Sequence, residues 1–413
     1  MRYQLYFLVL LGYFASPNTN AAQYFTPPDT QQVMIDVTFL SADLLEGRLT
    51  ATPGEALAAD YISARMQQLN LEPQPNHGTF VQTFEFDYKD NPHAAETRKL
   101  VGKNVAGFLD NGAKQTVVIG AHYDHLGYGG IGSLHAGEPA IHNGADDNAS
   151  GIAAMLYLAD KLQMKGAPKK RNYLFIAFSG EELGLVGSKR WVAADREGLE
   201  IAAMLNMDMV GRLRNKDNVL AIYGFGTSAA WAAALDASEK MSDITSVRDS
   251  SGVGPSDHTS FYLDEIPVLA AFTGQHGEYH KPGDDAHLVD FTGIIKVADY
   301  LYGVLESING EKELVFLKTR QREQRQAAAF KVSLGVMPDY VYAGEGMKVD
   351  GVTEGRPGFK AGMQAGDVIV KMGDLEVKDI YDYMEGLSKN KAGDTTTVVV
   401  DRKGELIELE VTF

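Results

Sequence analysis

Short apolar runs recur along the first three quarters of the chain, and each one ends where polar side chains begin. Residues 116–120, 172–178 and 266–272 are rich in apolar residues and are bounded by Gly, Ser or charged residues. Runs of this length and composition predict buried strands. Segments with apolar residues at helical spacing lie between them, so residues 24–310 are predicted to form an α/β domain with a mostly parallel sheet.

The pattern changes twice after this region. Residues 311–330 are charged and Gln-rich without Gly or Pro, which predicts a helical linker. From residue 331 to residue 413, short β-branched segments such as 367–370 and 397–400 alternate with turns that contain Gly and Asp. This pattern predicts a second, β-rich domain behind the α/β domain.

The start of the chain has the features of an export signal. Arg2 precedes an apolar run from Leu5 to Phe14, and small or polar residues follow up to Ala22. A run of this length is too short to span a bilayer and predicts a cleaved signal peptide over residues 1–22. A buried N-terminal helix is the alternative. We therefore expect an exported, periplasmic or secreted protein without a stable membrane span.

Composition narrows the class of partner and of metal ligand. The 413 residues are 45% hydrophobic and 23% charged, as in an ordinary globular protein, and the length favours two domains. The net charge of -17 argues against nucleic acid as a partner, because a protein that binds nucleic acid needs a cationic face. The absence of Cys excludes disulfides and thiolate ligands, so any metal must be held by His and carboxylates.

Ligand-type side chains stand where the predicted strands end. His122 follows the first strand named above, Glu181 and Glu182 follow the second, and Asp208 closes a further apolar segment. Because the carboxyl ends of parallel strands meet at one edge of a sheet, we expect these side chains to lie together. Neighbouring side chains in a turn diverge, so one glutamate can bind a metal while the other takes a proton from water.

The segment that begins at Gly144 enters a predicted helix. Asp146 and Asp147 lie at the N-terminus of this helix, with Asn148 or Ser150 as the N-cap residue. One interpretation is that both aspartates complement the helix dipole. The preceding Gly turn favours another, in which Asp147 is directed into a metal site as the bridging ligand.

The remaining candidates lie in two loops. Asp124 is two residues after His122, where its carboxylate can hold the second ring nitrogen and fix the tautomer. The polar loop after the last predicted strand contributes Tyr279 and His280, and His276 is the rival of His280 as a ligand. Most of the other histidines, of the ten in the chain, are expected to be hydrogen-bonding loop residues.

Five motifs in this order resemble those of the co-catalytic di-zinc aminopeptidases, which include bacterial leucyl aminopeptidases and glutamate carboxypeptidase-like enzymes. They are His-x-Asp, Gly-Ala-Asp-Asp-Asn-Ala-Ser-Gly, Gly-Glu-Glu-x-Gly, Met-Asp-Met and Tyr-His. The resemblance implies a mostly parallel mixed sheet flanked by helices, and two Zn²⁺ per chain. The metal ligands that it implies are Asp147 shared by both ions, His122 and Asp208 on one, and Glu182 and His280 on the other.

The same resemblance implies roles around the metals. Glu181 would be the general base that activates a zinc-bridging water, and Asp124 the partner of His122. Tyr279 would donate to the developing oxyanion. Asp257 and Phe261 are expected near the substrate pocket without an assigned role.

The C-terminal block contains Arg-Pro-Gly-Phe-Lys-Ala-Gly-Met followed by Gly-Asp-Val-Ile, which resembles bacterial PDZ domains. The resemblance implies a β-rich PDZ domain over residues 331–413 that binds an extended peptide by β-addition. The loop that would receive the peptide carboxylate contains Leu334, Gly335 and Val336. A domain that packs on the peptidase and binds nothing is the alternative.

The expected function is that of an exported metallo-aminopeptidase acting on peptides, with a PDZ domain for docking or regulation. Two alternatives stay open. One is a carboxypeptidase or glutaminyl cyclase-like enzyme of the same fold, and the other is a non-catalytic PDZ adaptor. Cobalt or manganese would suit the same ligands as zinc.

Overall fold

Among the residues that the structure describes there are two β-sheets, the first with a hydrophobic core on each face and the second with one core. The computed structural model describes residues 28–88, 96–130, 132–196, 198–213, 217–319, 332–339, 342 and 344–413. The predicted signal peptide, residues 1–22, lies outside the described residues. The first sheet belongs to the predicted α/β domain and the second to the predicted PDZ domain.

The first domain alternates strands and helices as predicted. Its strands are β1 (Glu72–Pro73), β2 (Val81–Tyr88), β3 (Arg98–Leu109), β4 (Gln115–His122), β5 (Asn172–Phe178), β6 (Glu200–Met207), β7 (Val219–Tyr223), β8 (Thr245–Arg248) and β9 (Val268–Phe272). Its helices are α1 (Pro28–Leu40), α2 (Pro53–Gln68), α3 (Gly151–Lys161), α4 (Val186–Arg190), α5 (Ala230–Glu239), α6 (His258–Tyr262) and α7 (Phe291–Ile308). Among the described residues these strands form one sheet in the order β1-β3-β5-β4-β6-β9-β7-β8, with β2 paired to β3.

The centre of this sheet is parallel and its flanks are mixed. Strands β5, β4, β6 and β9 are adjacent and run in the same direction. Strand β3 is antiparallel to β5, and β7 is antiparallel to β9. Every residue of β5 is buried, as expected for a parallel strand covered on both faces. Four strand ends therefore emerge side by side at one edge, and the predicted mixed α/β sheet is confirmed.

Side chains of the central strands alternate between two cores. In β4, Val117 and Ile119 enter the larger core, which includes residues of α1, α2, α3, α5 and α7. Val118 enters the smaller core on the opposite face, beside Trp191 and Phe261. Each fully buried apolar side chain contributes about 1.5–3 kcal/mol to folding. The edge at which the parallel strands end is thus fixed by packing on both faces of the sheet.

Helix α3 has the apolar face that its spacing predicts. Its apolar positions are almost completely buried, namely Ile152, Met155, Leu156, Ala159 and, just past its end, Leu162. Ser150 is at the N-cap position without a side-chain cap, whereas the side-chain oxygen of Asn148 accepts from Gly151 N, the first residue of the helix, at 3.0 Å. The preceding residues Ala145–Ser150 form an irregular π-type turn in which Asp147 lies.

The predicted helical linker over residues 311–330 is wrong in the part that the structure describes. Residues 311–319 contain no helix and lie along the first domain. Leu314 is buried in the larger core, and Leu317 N donates to Thr227 O at 2.8 Å. The apolar side chains of this segment therefore extend the first domain past residue 310, and residues 320–330 lie outside the described part.

The second domain is an antiparallel sheet with two short helices. Its strands are β10 (Val336–Pro338), β11 (Met347–Val352), β12 (Val368–Met372), β13 (Leu375–Glu376), β14 (Thr395–Arg402) and β15 (Glu405–Thr412), and its helices are α8 (Pro357–Lys360) and α9 (Ile380–Ser388). The strand order is β10-β11-β12-β14-β15, with β13 paired to β12.

The predicted peptide-carboxylate loop stands at the start of this sheet. Leu334 is completely buried in the core of the domain, and Val336 begins β10. Gly335 has a φ of +70°, and a Cβ there would lie 2.2 Å from the Cβ of Arg356, so only glycine fits. Its N–H donates to Ser333 Oγ at 3.0 Å. Peptide binding at this loop stays a prediction.

Within the described part of the chain, no helix has both the length and the apolar character that a membrane span requires.

Candidate metal centre

The parallel strands deliver their ligand-type side chains to one point. His122 is the last residue of β4, and Asp208 directly follows β6. Nε2 of His122 lies 3.2 Å from Asp208 Oδ1 and 3.2 Å from Asp147 Oδ1. These three residues form a group that can hold a metal ion. The predicted first ligand set therefore converges.

Asp147 presents its two carboxylate oxygens to different imidazoles. Oδ1 faces His122, whereas Oδ2 lies 3.2 Å from Nε2 of His280. The same His280 nitrogen lies 3.3 Å from Oε2 of Glu182. One aspartate thus connects two neighbouring sets of donors, which is the arrangement predicted for a bridging ligand.

A third imidazole stands at the second set. Nδ1 of His125 lies 2.8 Å from Oε1 of Glu182 and 3.9 Å from Oδ2 of Asp147. The atoms of these three residues are also close enough together to form a candidate metal group. Two imidazoles, those of His125 and His280, therefore share the Asp147–Glu182 carboxylate pair. Sequence reasoning did not select His125, although it lies only three residues after His122.

Asp124 acts on the glutamate turn as well as on His122. The atom closest to Nδ1 of His122 is the carbonyl oxygen of Asp124, at 3.2 Å, and the carboxylate is at 3.7 Å. That carboxylate instead accepts from Glu181 N at 3.1 Å and from Thr50 Oγ1 at 3.0 Å. The Asp124 carboxylate therefore lies beside His122 and also fixes the backbone of Glu181, and its role as the partner of His122 stays a prediction.

The rival ligand His276 faces another group. Its Nε2 lies 3.2 Å from Asp146 Oδ2, and its Nδ1 lies 3.1 Å from Glu278 Oε2. His280 rather than His276 therefore points at the shared aspartate. His142 hydrogen-bonds Ser133 Oγ and Ala140 O, as expected of a loop histidine.

Two charged residues that sequence reasoning missed fix the aspartate turn. Oδ2 of Asp284 accepts from the backbone N–H groups of Asp146 and Asp147, both at 3.0 Å. The guanidinium of Arg48 donates to the carbonyl oxygens of Asn143 and Gly144. Neither residue has a local sequence signal, because both act through contacts distant in the chain.

The negative charge of the carboxylates in this site favours positive charge on the groups among them. Burial opposes charge on His280, but Asp147 and Glu182 outweigh it and raise the pKa of this imidazole to about 11. Burial likewise opposes charge on His122, yet Asp208 and Glu181 raise its pKa well above the usual value. Both rings therefore carry protons at neutral pH in the chain alone, since the carboxylates around them need positive partners.

A cavity opens onto these donors. Met209, Tyr223 and Phe272 form an apolar part of the cavity wall. Tyr279 also lines the cavity, and its ring stacks on that of His280 with the ring centroids 3.8 Å apart. Of the predicted neighbours, Asp257 is buried and its pKa is raised to about 7 by burial. The cavity joins an apolar compartment to the ligand cluster, as in small-molecule sites.

Comparisons with known proteins agree with this geometry. Residues 104–305 match the model of Peptidase family M28, and residues 322–413 match that of the PDZ domain. The chain carries an M28 peptidase domain followed by a PDZ domain. The predicted peptidase family and the predicted C-terminal PDZ domain are thereby confirmed.

Relatives of the M28 domain include aminopeptidases. The alkaline phosphatase isozyme conversion protein of Escherichia coli (strain K12) is 31% identical over 170 residues, which cover 40% of this chain and 48% of the relative. Aminopeptidase YwaD of Bacillus subtilis (strain 168) is 28% identical over 217 residues, which cover 50% of this chain and 44% of the relative. The chain spans about half the length of the curated relatives it matches.

Solved structures share the fold of the M28 domain. The zinc aminopeptidase BSAP from Bacillus subtilis has a TM-score of 0.54 at 18% identity over 68% of this chain and 95% of that chain. The glutaminyl cyclase of Bacteroides thetaiotaomicron has a TM-score of 0.54 at 16% identity over 67% of this chain and 97% of that chain. At these identities the comparison establishes the fold and not the reaction.

The protonated imidazoles predict that zinc binding to the metal-free M28 domain releases protons. Zinc needs neutral imidazoles, so binding at pH 7 should release about two protons, one each from His122 and His280. Because the pKa of His280 is raised to about 11, protons compete with zinc for this ring at every lower pH, so zinc affinity should increase with pH up to that value. Calorimetry in buffers of different ionisation enthalpy measures the proton count.

His142 provides the matched control for this measurement. Burial lowers the pKa of its imidazole, so the ring is neutral at pH 7. His142→Ala should release as many protons as the native chain. Zinc binding without proton release in the native chain would contradict the charge state assigned to His122 and His280.

Proposed function

We propose that this chain is an exported metallo-aminopeptidase that removes N-terminal residues from peptides with the help of two zinc ions. The observation that supports this most directly is the Asp147 carboxylate, whose two oxygens face His122 and His280 at 3.2 Å each. Each of these imidazoles also faces a second carboxylate, that of Asp208 or Glu182. Such a shared carboxylate is suited to a pair of ions.

The spacing of the donors fits tetrahedral zinc. Two donors that bind one zinc ion at 2.0–2.2 Å in tetrahedral geometry lie about 3.3–3.6 Å apart. The four pairs made by His122 and His280 with their carboxylates are 3.2–3.3 Å apart. We therefore assign Asp147, His122 and Asp208 to one ion, and Asp147, Glu182 and His280 to the other.

When bound, the two ions would polarise the scissile carbonyl and lower the pKa of the attacking water. Glu181 is the proposed base that takes the proton from this water and returns it to the leaving amine. Burial, together with the charges of Glu182 and Asp208, raises the pKa of Glu181 well above its usual value although His122 opposes this. A raised pKa suits a carboxylate that must accept a proton and hold it briefly. Tyr279 at the cavity wall is the proposed donor to the oxyanion.

The charge of the cavity favours a free N-terminus as the recognised end of the substrate. A carboxypeptidase needs a cationic group for the terminal carboxylate of its substrate. The residues that line the cavity include neither Lys nor Arg among those the structure describes, whereas Glu181, Glu182 and Asp208 all line it. With Glu182 and Asp208 used as zinc ligands, Glu181 is the carboxylate that faces an α-ammonium group, and no Lys or Arg among the described lining residues faces a carboxylate.

A glutaminyl cyclase-like reaction is the second candidate. It is favoured by the similarity of the fold to the Bacteroides thetaiotaomicron cyclase, and it too would require a free N-terminal amine. The presence of two donor sets rather than one supports hydrolysis. A non-catalytic adaptor is disfavoured because the proposed base and every proposed ligand are in place around one cavity.

We also propose that the enzyme is exported and that its PDZ domain is a docking site. The N-terminal signal peptide would send the enzyme to the periplasm or outside the cell. The PDZ domain would bind a peptide or protein at the loop of Leu334, Gly335 and Val336, and so position substrate or regulate access.

Two substitutions separate the base from the ligands. Glu181→Gln should keep zinc bound and reduce kcat by about 10²–10⁴-fold, because the amide cannot take the proton from water. Asp147→Ala should lose zinc, because both donor sets lack their shared carboxylate. Elemental analysis and peptide hydrolysis on the same preparations give both results. Near-native kcat in Glu181→Gln would show that another residue is the base.

A substrate panel tests the polarity of the enzyme. A peptide with a free N-terminus should be cleaved, its C-terminal amide should be cleaved equally well, and its N-acetylated form should not be cleaved. Loss of cleavage on C-terminal amidation would instead identify a carboxypeptidase. Release of ammonia without hydrolysis from an N-terminal glutaminyl peptide would identify a cyclase, and no chelator-sensitive reaction on any peptide would favour the adaptor.

A further inference from the structure

His125 is a buried residue that lies beside the second donor set, that of Asp147, Glu182 and His280. Its side chain is completely buried, and its Nδ1 lies 2.8 Å from Oε1 of Glu182. The other oxygen of that glutamate, Oε2, faces His280. The rings of His125 and His280 meet edge to face with centroids 5.8 Å apart.

The distances separate His125 from the ligands. Donors on one tetrahedral zinc ion lie about 3.3–3.6 Å apart, and the pairs of His280 with Asp147 and Glu182 lie close to the lower end of this range, at 3.2 and 3.3 Å. The 2.8 Å between His125 and Glu182 is instead the length of a hydrogen bond from N–H to an ionised carboxylate. Oδ2 of Asp147 lies farther from Nδ1 of His125, at 3.9 Å, than from Nε2 of His280, at 3.2 Å.

We propose that His125 is a positioning residue for the second metal ion. It donates its Nδ1–H to Oε1 of Glu182 and thereby keeps Oε2 turned toward His280 and Asp147. The inference rests on the proposed function, since it requires two bound ions. Hydrogen bonds of this kind to a ligating carboxylate typically change metal affinity by about 10–100-fold.

The backbone around His125 is arranged to hold the ring in this place. His125 N donates to the carbonyl oxygen of Arg48, whose own guanidinium donates to the carbonyl oxygens of Tyr123 and Gly144. Gly144 has a φ of +56°, and a Cβ there would lie 2.6 Å from two ring carbons of His125. The glycine is therefore required both by its left-handed backbone and by the close approach of the imidazole.

The contacts of the two Glu182 oxygens agree with this role. Oε1 lies 2.8 Å from Nδ1 of His125 and Oε2 lies 3.3 Å from Nε2 of His280, so each oxygen faces its own imidazole. Turning the carboxylate would break the hydrogen bond to His125, which therefore fixes its orientation. Nε2 of His125 is buried and has no hydrogen-bond partner in the described part of the chain, so the ring contacts the site through Nδ1.

Two substitutions test the donor directly in the full-length chain. In His125→Asn, the amide nitrogen stands as many bonds from Cα as Nδ1 does and can still donate. In His125→Leu the volume is largely kept and the donor is lost. His142→Leu is the matched control, because it removes another buried imidazole from the same loop without touching a proposed ligand.

The measurement is zinc bound per chain over a series of chelator concentrations, with X-ray absorption to count imidazoles per ion. We expect two ions in the native chain, one of them bound about 10–100-fold more weakly in His125→Leu. His125→Asn should recover most of this affinity, and His142→Leu should bind both ions as the native chain does. The spectrum should show one imidazole per ion on average in both the native chain and His125→Asn.

Several outcomes would overturn the inference. They are native affinity for both ions in His125→Leu, equal weakening in His125→Asn, an equal loss in His142→Leu, or three imidazoles shared by the two ions in the native chain. If His125→Leu does not fold, His125→Gln replaces it, since its amide is one bond too far out and should not rescue affinity as Asn does. A native chain that binds fewer than two ions would instead refute the proposed function.

Discussion

The carboxylate of Asp147 can face two imidazoles only if the backbone that carries it is held from behind. The carboxylate of Asp284 accepts hydrogen bonds from the backbone N–H groups of Asp146 and Asp147. Arg48 donates to the carbonyl oxygen of Gly144 at the start of the same turn. These contacts use one buried anion and one buried cation to satisfy backbone groups that the irregular turn before α3 leaves without partners. The rest of the site is arranged around the aspartate that they fix.

The residues that follow β4 organise the glutamates on the opposite side of the site. Asp124 fixes the backbone N–H of Glu181, and His125 contacts the carboxylate of Glu182. Two adjacent residues of one loop therefore contact two adjacent residues of another, one through the backbone and one through the side chain. This pairing allows Glu181 to point at the cavity while Glu182 points at His280, so that neighbouring carboxylates take different roles.

Much of this site could be predicted from sequence because parallel strands place their ends together. His122, Glu181, Glu182 and Asp208 each follow an apolar run, and adjacent strands bring those runs to one edge. The roles of Asp284, Arg48 and His125 could not be predicted in this way. Their positions depend on how long loops fold against the turn before α3, and neither hydrophobic period nor local propensity encodes such contacts.

The fold shows the same division between local and tertiary signals. The buried strands and α3 follow their apolar periods closely, so they agree with the sequence pattern. Residues 311–319 have a helical composition but no helix, because Leu314 enters the larger core and Leu317 bonds to the backbone of Thr227. Here tertiary packing outweighs a propensity that amounts to less than about 1 kcal/mol per residue.

Charge explains why so acidic a cluster can stay buried. Asp147, Glu182 and Asp208 lie around two imidazoles that hold protons, and burial lowers the pKa of Arg48 to about 10 even though Asp124 and Asp147 oppose this. Buried carboxylates are costly unless positive charge compensates them. Two dications would add four positive charges while displacing about two protons, for a net gain of about two. On the proposed function, metal binding therefore offsets the repulsion among these carboxylates, and the acidity that makes the empty cluster costly to bury is the property that draws cations into it.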